Sequence, residues 1–472
     1  MLNKKTKIVA TISDIRCEVD FIRQLYNEGM NVVRLNTAHQ SPEETLKAVN
    51  NIREVSSKIA ILIDTKGPEI RTAPMDEALD VEQGETVLVV KRDDLRKDVK
   101  SIAVNYDGLI RDVSTGSRIL IDDGDIELRV DQQKEDSLVC SVMNSGKIKG
   151  KKSVNVPGVS MNLPSLSQRD IEYIDFAIEH DIDFIAHSFV RRKEDIIAIQ
   201  SILDRKNSEI KIIAKIENQE GVDKIDEILE YAFGVMVARG DLAIEIPPEK
   251  IPFYQKQIIT KCVERRKPVI IATQMLHSMI DNPRPTRAEI SDVANAVYDR
   301  TDALMLSGET AYGKYPIESV QMMSRIAREV EAGLDRYTSI HQEDIKNEIT
   351  AFLSKSAVGA ASQLNTQAIV IDTLTGRTAR AISVYRGRAP VYAECYKRRT
   401  VRELALSYGV YANYLDVQTT HHGFIDNALG YLLKKGELDR ESRIVIVAGN
   451  FGASRGASYI EIGTPNELLA HD

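Results

Sequence analysis

An α/β fold is the class the sequence predicts: a (β/α)8 TIM barrel with an inserted all-β lid domain and a C-terminal α/β domain. Three observations carry this. Eight apolar runs of strand length recur between residues 7 and 310, mostly separated by segments of helix length. Helical periodicity vanishes from Glu69 to about Leu163, where short β segments follow one another. Beyond about residue 341, helix and strand patterns alternate again. The expected division is 1–68 and 164–340 for the barrel, 69–163 for a β-barrel lid and 341–472 for the last domain.

The eight runs read KIVATIS from Lys7, VVRLNT from Val32, IAILIDTKG from Ile59, FIAHSFV from Phe184, KIIAKIEN from Lys211, GVMVARGD from Gly234, PVIIATQM from Pro268 and ALMLSGET from Ala303. After the third, the β segments include VLVV from Val87, RILIDDGDIELRV from Arg118, SLVCSV from Ser137 and SVNVPG from Ser153. Asp123-Gly124 predicts a hairpin, glycine supplying the positive φ of a tight turn. Because the insertion begins beside Lys66 and Arg71, on the face where barrel chemistry gathers, it reads as a lid rather than a decoration. Helical pattern resumes at SQRDIEYIDFAIEH, with Ser167 as N-cap and Asp170 completing a capping box. The helix IESVQMMSRIAREVEAGL closes the barrel, and a charged stretch from Tyr337 to Asn347 marks a boundary. A helix around KSAVGAASQL then leads to strands AIVIDT, APVYAEC and RIVIVAGN.

Bulk properties exclude several classes. A net charge of −8 gives no reason to expect nucleic acid or an anionic membrane as partner. The four cysteines, Cys17, Cys140, Cys262 and Cys395, are scattered and form no CxxC pair, which fits a reducing compartment. No apolar stretch approaches the roughly 20 residues of a membrane span. The start runs from lysines into a strand without a signal-peptide core, so a cytoplasmic location is expected.

In such barrels function sits at the carboxyl ends of the strands. Arg34, Asn36, Asp64, Lys215, Glu217, Asp241, Thr273 and Glu309 all fall there, and they count as one observation. Alternation along KIIAKIEN puts Lys215 and Glu217 on the same face, pointing into the barrel's solvent-filled mouth. A strand-end salt bridge is the ordinary reading of that pair. Asp241 at the next strand end changes the balance, because two converging carboxylates hold a hard divalent cation and a neighbouring lysine neutralises a phosphoryl group in transfer. Gly240 lets backbone approach a ligand closely. Arg34 is able to meet phosphate bidentately, Asn36 offers an amide, and Asp64 and Thr65 offer oxygens for a monovalent or divalent cation. Gly67-Pro68 makes a stiff exit suited to a hinge. Thr273 and Ser307 stand over the cavity, although a hydroxyl such as Ser307 equally serves as a helix cap. No GxxxxGK[ST] loop and no HExxH group occurs, and His39 and His187 read as structural.

TKIVATI, GMNVVRLNTAH, DTKGPEIRT, VNVPG, AKIENQEG, VMVARGDLAIEIP, ATQML, NPRPTRAEISDVANAVYDRTDALMLSGETAYGKYP and TGRTAR together resemble the pyruvate kinase family, in its order and approximate spacing. The resemblance implies transfer of phosphate from phosphoenolpyruvate to ADP, giving pyruvate and ATP. It implies Lys215 as stabiliser of the moving phosphoryl group, Arg34 as its anchor, and Glu217 and Asp241 as ligands of Mg2+ (or Mn2+). Gly240, Asp241 and Thr273 would surround the pyruvate moiety, and Arg71, Lys152 and Asn36 would meet the nucleotide. Asn36, Asp64 and Thr65 match a K+ site. Thr373, Thr375, Gly376, Arg377 and Thr378 match a loop that grips a sugar-phosphate effector in regulated members, and the family is usually a homotetramer. For protonation of the enolate carbon, Thr273, Ser307 and an ordered water are all candidates.

The chain also departs from the pattern. Ala38 replaces a serine of the K+ site, whereas Glu69 matches potassium-dependent members. SDIRCEV replaces a glycine-proline-rich turn, His277 a glutamate and Ala243 a glycine. GNFGASRGASYIEIG matches the effector loop only loosely. Two other functions fit parts of the pattern: a lyase or mutase acting on phosphoenolpyruvate or a 2-oxo acid, and a catalytically silent metabolite sensor. The first leaves the lid, Arg71 and Lys152 without work, and the second leaves Lys215, Glu217, Asp241 and Thr273 without it.

Overall fold

The computed structural model describes residues 4–37, 40–92, 94–96, 98–334, 347–449, 451 and 456–470. Expectations for Ala38, His39, the boundary stretch up to Lys346 and part of the loop after Gly449 lie outside the described residues.

Strands β1 (Lys7–Ile12), β2 (Val32–Asn36) and β3 (Ala60–Asp64) begin the chain. Eight short strands follow: β4 (Leu79–Val81), β5 (Thr86–Val90), β6 (Ser101–Ala103), β7 (Arg118–Ile121), β8 (Ile126–Gln133), β9 (Ser137–Val142), β10 (Gly146–Ile148) and β11 (Val154–Asn155). Then come β12 (Phe184–His187), β13 (Lys211–Ile216), β14 (Gly234–Ala238), β15 (Val269–Ala272) and β16 (Ala303–Leu306). The first three and the last five close into a parallel barrel in the order β1-β16-β15-β14-β13-β12-β3-β2. All eight expected runs contribute a strand.

Period-two alternation explains the two cores. Val9, Val32, Ala60, Leu62, Phe184, Ala186, Ile213, Met236, Ile270 and Met305 fill the barrel interior, whereas Ile8, Val33, Ile61, Ile185 and Ile212 pack outward against the helices. Continuing the inward set to the carboxyl ends of the strands and just beyond reaches Thr11, Arg34, Asp64, Ser188, Lys215 and Ser307. The helix Gln168–Glu179 starts with the expected capping box between Ser167 and Asp170.

The insertion has its own apolar core, including Val87, Ile102, Ile119, Leu128 and Leu138. Its main sheet runs β11-β7-β8-β9-β5-β6, with β4 and β10 paired beside it. Single bridges from Arg71 to Ser153 and from Thr72 to Val104 join residues 71–72 to both edges of that sheet. One helical turn, Leu109–Asp112, interrupts the β pattern. The β7–β8 hairpin forms where expected, but Asp122 and Asp123 take positive φ as well as Gly124. Short polar side chains tolerate that region better than most.

The last domain is a five-stranded sheet: β17 (Ala368–Thr373), β18 (Val391–Cys395), β19 (Val410–Tyr414), β20 (Ile444–Gly449) and β21 (Ala457–Gly463), in the order β19-β18-β17-β20-β21. Sequence reading missed β19, whose run VYANY is interrupted by asparagine, and β21. The second corrects the loop expected over GNFGASRGASYIEIG: Ala457–Gly463 is an antiparallel strand on β20. Leu406 of this domain packs into the barrel's interior core, at the end opposite the candidate site.

Candidate active site

Asp64 lies at the centre of the mouth. Its carboxylate accepts from Arg34 Nε at 2.7 Å and from the same guanidinium's NH2, and it pairs with Lys215 Nζ at 3.2 Å. Lys215 also meets Glu217 Oε1 at 2.9 Å and donates to Ser188 Oγ at 2.7 Å. Three strand ends, those of β3, β12 and β13, thus converge on one ammonium, and β2 joins them through Arg34 on Asp64. Lys215 is 8% exposed, so its end is enclosed by these partners rather than lying in open solvent as expected.

Charge in this cluster is strongly interdependent. Burial opposes the Lys215 ammonium, but the Asp64 and Glu217 carboxylates outweigh it and hold the amine well above its ordinary range. Asp64 is likewise buried, yet Lys215 and Arg34 keep its carboxyl below the usual carboxylate range. Glu217 goes the other way. Burial pushes it up to about 7, Lys215 partly opposes this, and the Asp241 and Asp64 charges add to it. Asp241 therefore lies within electrostatic reach of Glu217, as the adjacent strands β13 and β14 require.

The Glu217 carboxylate is set for a cation. Oε2 accepts the Phe189 amide at 2.7 Å, while Oε1 is buried and accepts no well-directed hydrogen bond, only the Lys215 ion pair. Two nearby carboxylates, one with an unsatisfied oxygen, fit a hard divalent ion that takes its other ligands from water and substrate. Among the described residues no group of three His, Cys, Asp or Glu side chains is placed to hold a metal ion by itself.

Thr273 and Gly240 come together: the Gly240 amide donates to Thr273 Oγ1 at 2.7 Å, and that hydroxyl donates to Ala272 O at 2.6 Å. Gly240 is the second residue of the helix Arg239–Glu245, and an added Cβ there would lie 3.4 Å from Thr273 Oγ1. Thr273 and Gln274 have φ of 68° and 54°, and Phe189 has 55°. Left-handed conformations at threonine and phenylalanine are outliers, and here they sit beside the site. Glu309 accepts from Leu276 N at 3.1 Å and Ser307 N at 2.8 Å, stapling two mouth loops. Ser307 Oγ is buried and has no hydrogen-bond partner among the described residues. A cleft of about 780 Å³ runs between lid and barrel, lined by Arg118 and Asp123 on one side and Asp241, Thr273, His277 and Ser307 on the other.

The remaining candidates fall in separate places. Asn36 lies two residues beyond Arg34 on β2, in register with Asp64. Thr65 Oγ1 is 3.1 Å from His187 Nδ1 and accepts from Ser188 N at 3.2 Å, so His187 is buried and structurally bonded. Arg71 and Lys152 stand together where chain enters and leaves the lid, Arg71 paired with Glu69 at 2.7 Å and Lys152 with Asp122 at 2.9 Å. The loop after β17 closes on itself, the Gly376 amide (φ 73°) donating to Thr373 Oγ1 at 2.9 Å and Arg377 Nε to Thr375 Oγ1 at 3.2 Å, with Thr378 buried. Ser188 was missed by sequence reading, although Phe184, Ala186 and Ser188 share the inward face of FIAHSFV. All four cysteines are buried and free, and among the described residues no helix is long and apolar enough to cross a membrane.

Comparison with known proteins agrees over almost the whole chain. Residues 3–320 match the model of the pyruvate kinase barrel domain, and 352–462 that of the pyruvate kinase alpha/beta domain. The chain is 45% identical to a pyruvate kinase of Borreliella burgdorferi, covering 99% of both. It is 46% identical to a pyruvate kinase of Bacillus licheniformis, covering 99% of this chain and 81% of that one. A crystal structure of a pyruvate kinase from Cryptosporidium parvum superposes with a TM-score of 0.93 at 36% identity, covering 98% of this chain and 96% of that one.

Proposed function

The chain belongs to the pyruvate kinase family, and from that premise we propose which of its own residues carry the reaction. It is a glycolytic phosphotransferase, moving the phosphoryl group of phosphoenolpyruvate to ADP with formation of ATP and pyruvate. The observation that carries the assignment of roles is the Lys215 ammonium held 2.9 Å from Glu217 and 3.2 Å from Asp64, with Arg34 on the same Asp64. Phosphoryl transfer asks for positioning and cationic charge on the transferring oxygens rather than covalent work by the protein. Arg34 anchors the substrate phosphate. Lys215, kept charged by its neighbours, faces the group as it moves. Asp241, Gly240 and Thr273 surround the three-carbon moiety.

Glu217 and Asp241 would hold Mg2+ or Mn2+, which when bound supplies charge stabilisation for substrate oxygens. Asn36, Asp64 and Thr65 present the oxygen donors that suit K+. Arg71, Lys152 and Asn36 receive the nucleotide phosphates, the first two from the lid. For protonation of the enolate carbon, Ser307 is favoured over Thr273, whose hydroxyl proton is directed to Ala272 O. A coupled assay tests the whole reading: ATP and pyruvate should appear in equal amounts, and only with phosphoenolpyruvate and ADP together. Magnesium chelation or replacement of potassium by a bulky organic cation should lower the rate. Pyruvate without ATP would overturn it.

The division at 68/69, 163/164 and 340/341, a cytoplasmic location and a homotetramer belong to the same proposal. Thr373, Thr375, Gly376, Arg377 and Thr378 are proposed to take a phosphorylated effector through hydroxyls and amides. A monophosphate fits better than fructose 1,6-bisphosphate, since GNFGASRGASYIEIG gives no clear sequence counterpart of the family's arginine for the second phosphate. Thermal-shift titration should show monophosphates stabilising the protein, and tight bisphosphate binding lost in Arg377→Ala would refute this.

A further inference from the structure

We propose that Ser188 is a positioning residue that aims the Lys215 ammonium through its hydroxyl. The inference rests on the reading of Lys215 as the phosphoryl-facing cation. Three oxygens surround this ammonium, Glu217 Oε1 at 2.9 Å and Asp64 Oδ1 at 3.2 Å as ion pairs and Ser188 Oγ at 2.7 Å as the hydrogen-bond acceptor. Two of the three are carboxylates with other partners, since Asp64 is shared with Arg34 and Glu217 Oε2 accepts the Phe189 amide. Ser188 is the neutral acceptor and makes the shortest of the three contacts. Its own proton is directed away, towards Thr65 O at 2.8 Å rather than Asp64 Oδ1 at 3.3 Å. A lone pair is therefore left facing Lys215.

The turn carrying Ser188 is fixed from both sides. Ser188 N donates to Thr65 Oγ1 at 3.2 Å, and Val190 N donates to the Lys215 carbonyl at 3.2 Å. Between them Phe189 takes φ 55°, a conformation a bulky residue adopts only when its surroundings impose it, and its amide reaches Glu217 Oε2 at 2.7 Å. One turn thus holds the lysine and its neighbouring carboxylate in a set geometry. The lid's entry rests on the same turn, because a Cβ added at Gly67 would lie 2.9 Å from both Ser188 Cβ and Ser188 O. The segment at Gly67 that leads into the lid is thus packed directly on Ser188, which in turn holds Lys215.

The test compares Ser188→Ala, Ser188→Thr, Ser188→Cys and Lys215→Met in steady-state kinetics, with a melting curve for each. Ser188→Ala should lower kcat about tenfold or more, the scale of a lost hydrogen bond to a charged group. KM for phosphoenolpyruvate should stay within about twofold, because aim matters chiefly in the transition state. Ser188→Thr should recover most of the loss, and Ser188→Cys, nearly isosteric but a poor acceptor, should not. Normal turnover in Lys215→Met would overturn the reading of Lys215 itself. An inactive Lys215→Met beside a Ser188→Ala with unchanged kcat would overturn the role of Ser188 alone. Equal losses of kcat and of melting temperature in the Ala, Thr and Cys variants would reduce the turn to a structural one, and so also overturn the proposal.

Discussion

Glu217 is a carboxylate placed where its charge is costly. Burial, outweighing Lys215 and aided by Asp241 and Asp64, raises it to about 7. In the unfolded chain it would titrate near the ordinary glutamate value of about 4.3. Between these values the folded chain holds the proton that the unfolded chain has lost. This residue's contribution to stability therefore falls as pH rises through that window and levels off above about 7. A divalent ion binds only the ionised form, so affinity should climb with pH up to about 7 and flatten beyond it. Calorimetric titration with Mg2+ in buffers of different ionisation enthalpy should count close to one proton released per ion near pH ~6, and almost none near pH ~8.5. Glu217→Gln should remove the proton release and most of the affinity. A proton count that does not change with pH would show that Glu217 is not the titrating ligand.

The elements decide where such residues stand, and the segment joining barrel to insertion shows how closely they are coupled. Gly67 has φ 69° and lies against Ser188, whereas Gly84 has φ 86° with nothing near its missing side chain. Gly67→Ala should cost roughly 1–3 kcal/mol from left-handed strain and displaced neighbours, and should lower kcat as well. Gly84→Ala should share the strain and leave kcat unchanged, so the pair separates a hinge effect from general destabilisation in one urea-melt and turnover experiment. Strand periodicity made much of this legible beforehand. With a repeat of two residues, one inward apolar position on each strand fixes the direction of the polar residue beyond it, which is why Arg34, Asp64, Lys215 and Glu217 could be placed together. The same count along FIAHSFV reaches Ser188, but a serine at a strand end looks like any turn residue. The left-handed turns at Phe189, Thr273 and Gln274 left no signal, since none is the glycine or asparagine that announces such a conformation. Partner sharing was equally invisible: nothing in IDTKG says that Asp64 is divided between Arg34 and Lys215.

At the scale of the whole molecule, the last domain forms the floor of the barrel. Leu406 enters the interior core, and the helix Arg398–Glu403 lies across the amino ends of β12 and β13. From it Arg402 Nε meets Asp183 at 2.5 Å and Arg399 meets Asp181 at 2.8 Å, while Lys211 lies 3.6 Å from Glu403. Asp183 is fully buried, and it keeps Arg53 at 3.0 Å and the Ile61 amide at 2.9 Å if Arg402 is removed. Breaking a buried pair costs about 3–5 kcal/mol when the survivor is stranded, so the retained partners should bring Arg402→Met to roughly 2–3 kcal/mol. Lys397–Glu209, half exposed at 2.9 Å, should be worth no more than about 1 kcal/mol and should fade with salt. The two variants therefore differ in size and in salt dependence. The same helix reaches the proposed effector loop, Thr400 Oγ1 donating to Leu374 O at 2.8 Å. Loosening Arg402 should thus free the last domain to unfold ahead of the barrel, turning one calorimetric transition into two, with the lower one insensitive to salt. A single transition at the unaltered temperature in Arg402→Met would show that the floor is held by its apolar contacts alone and that these ion pairs couple nothing.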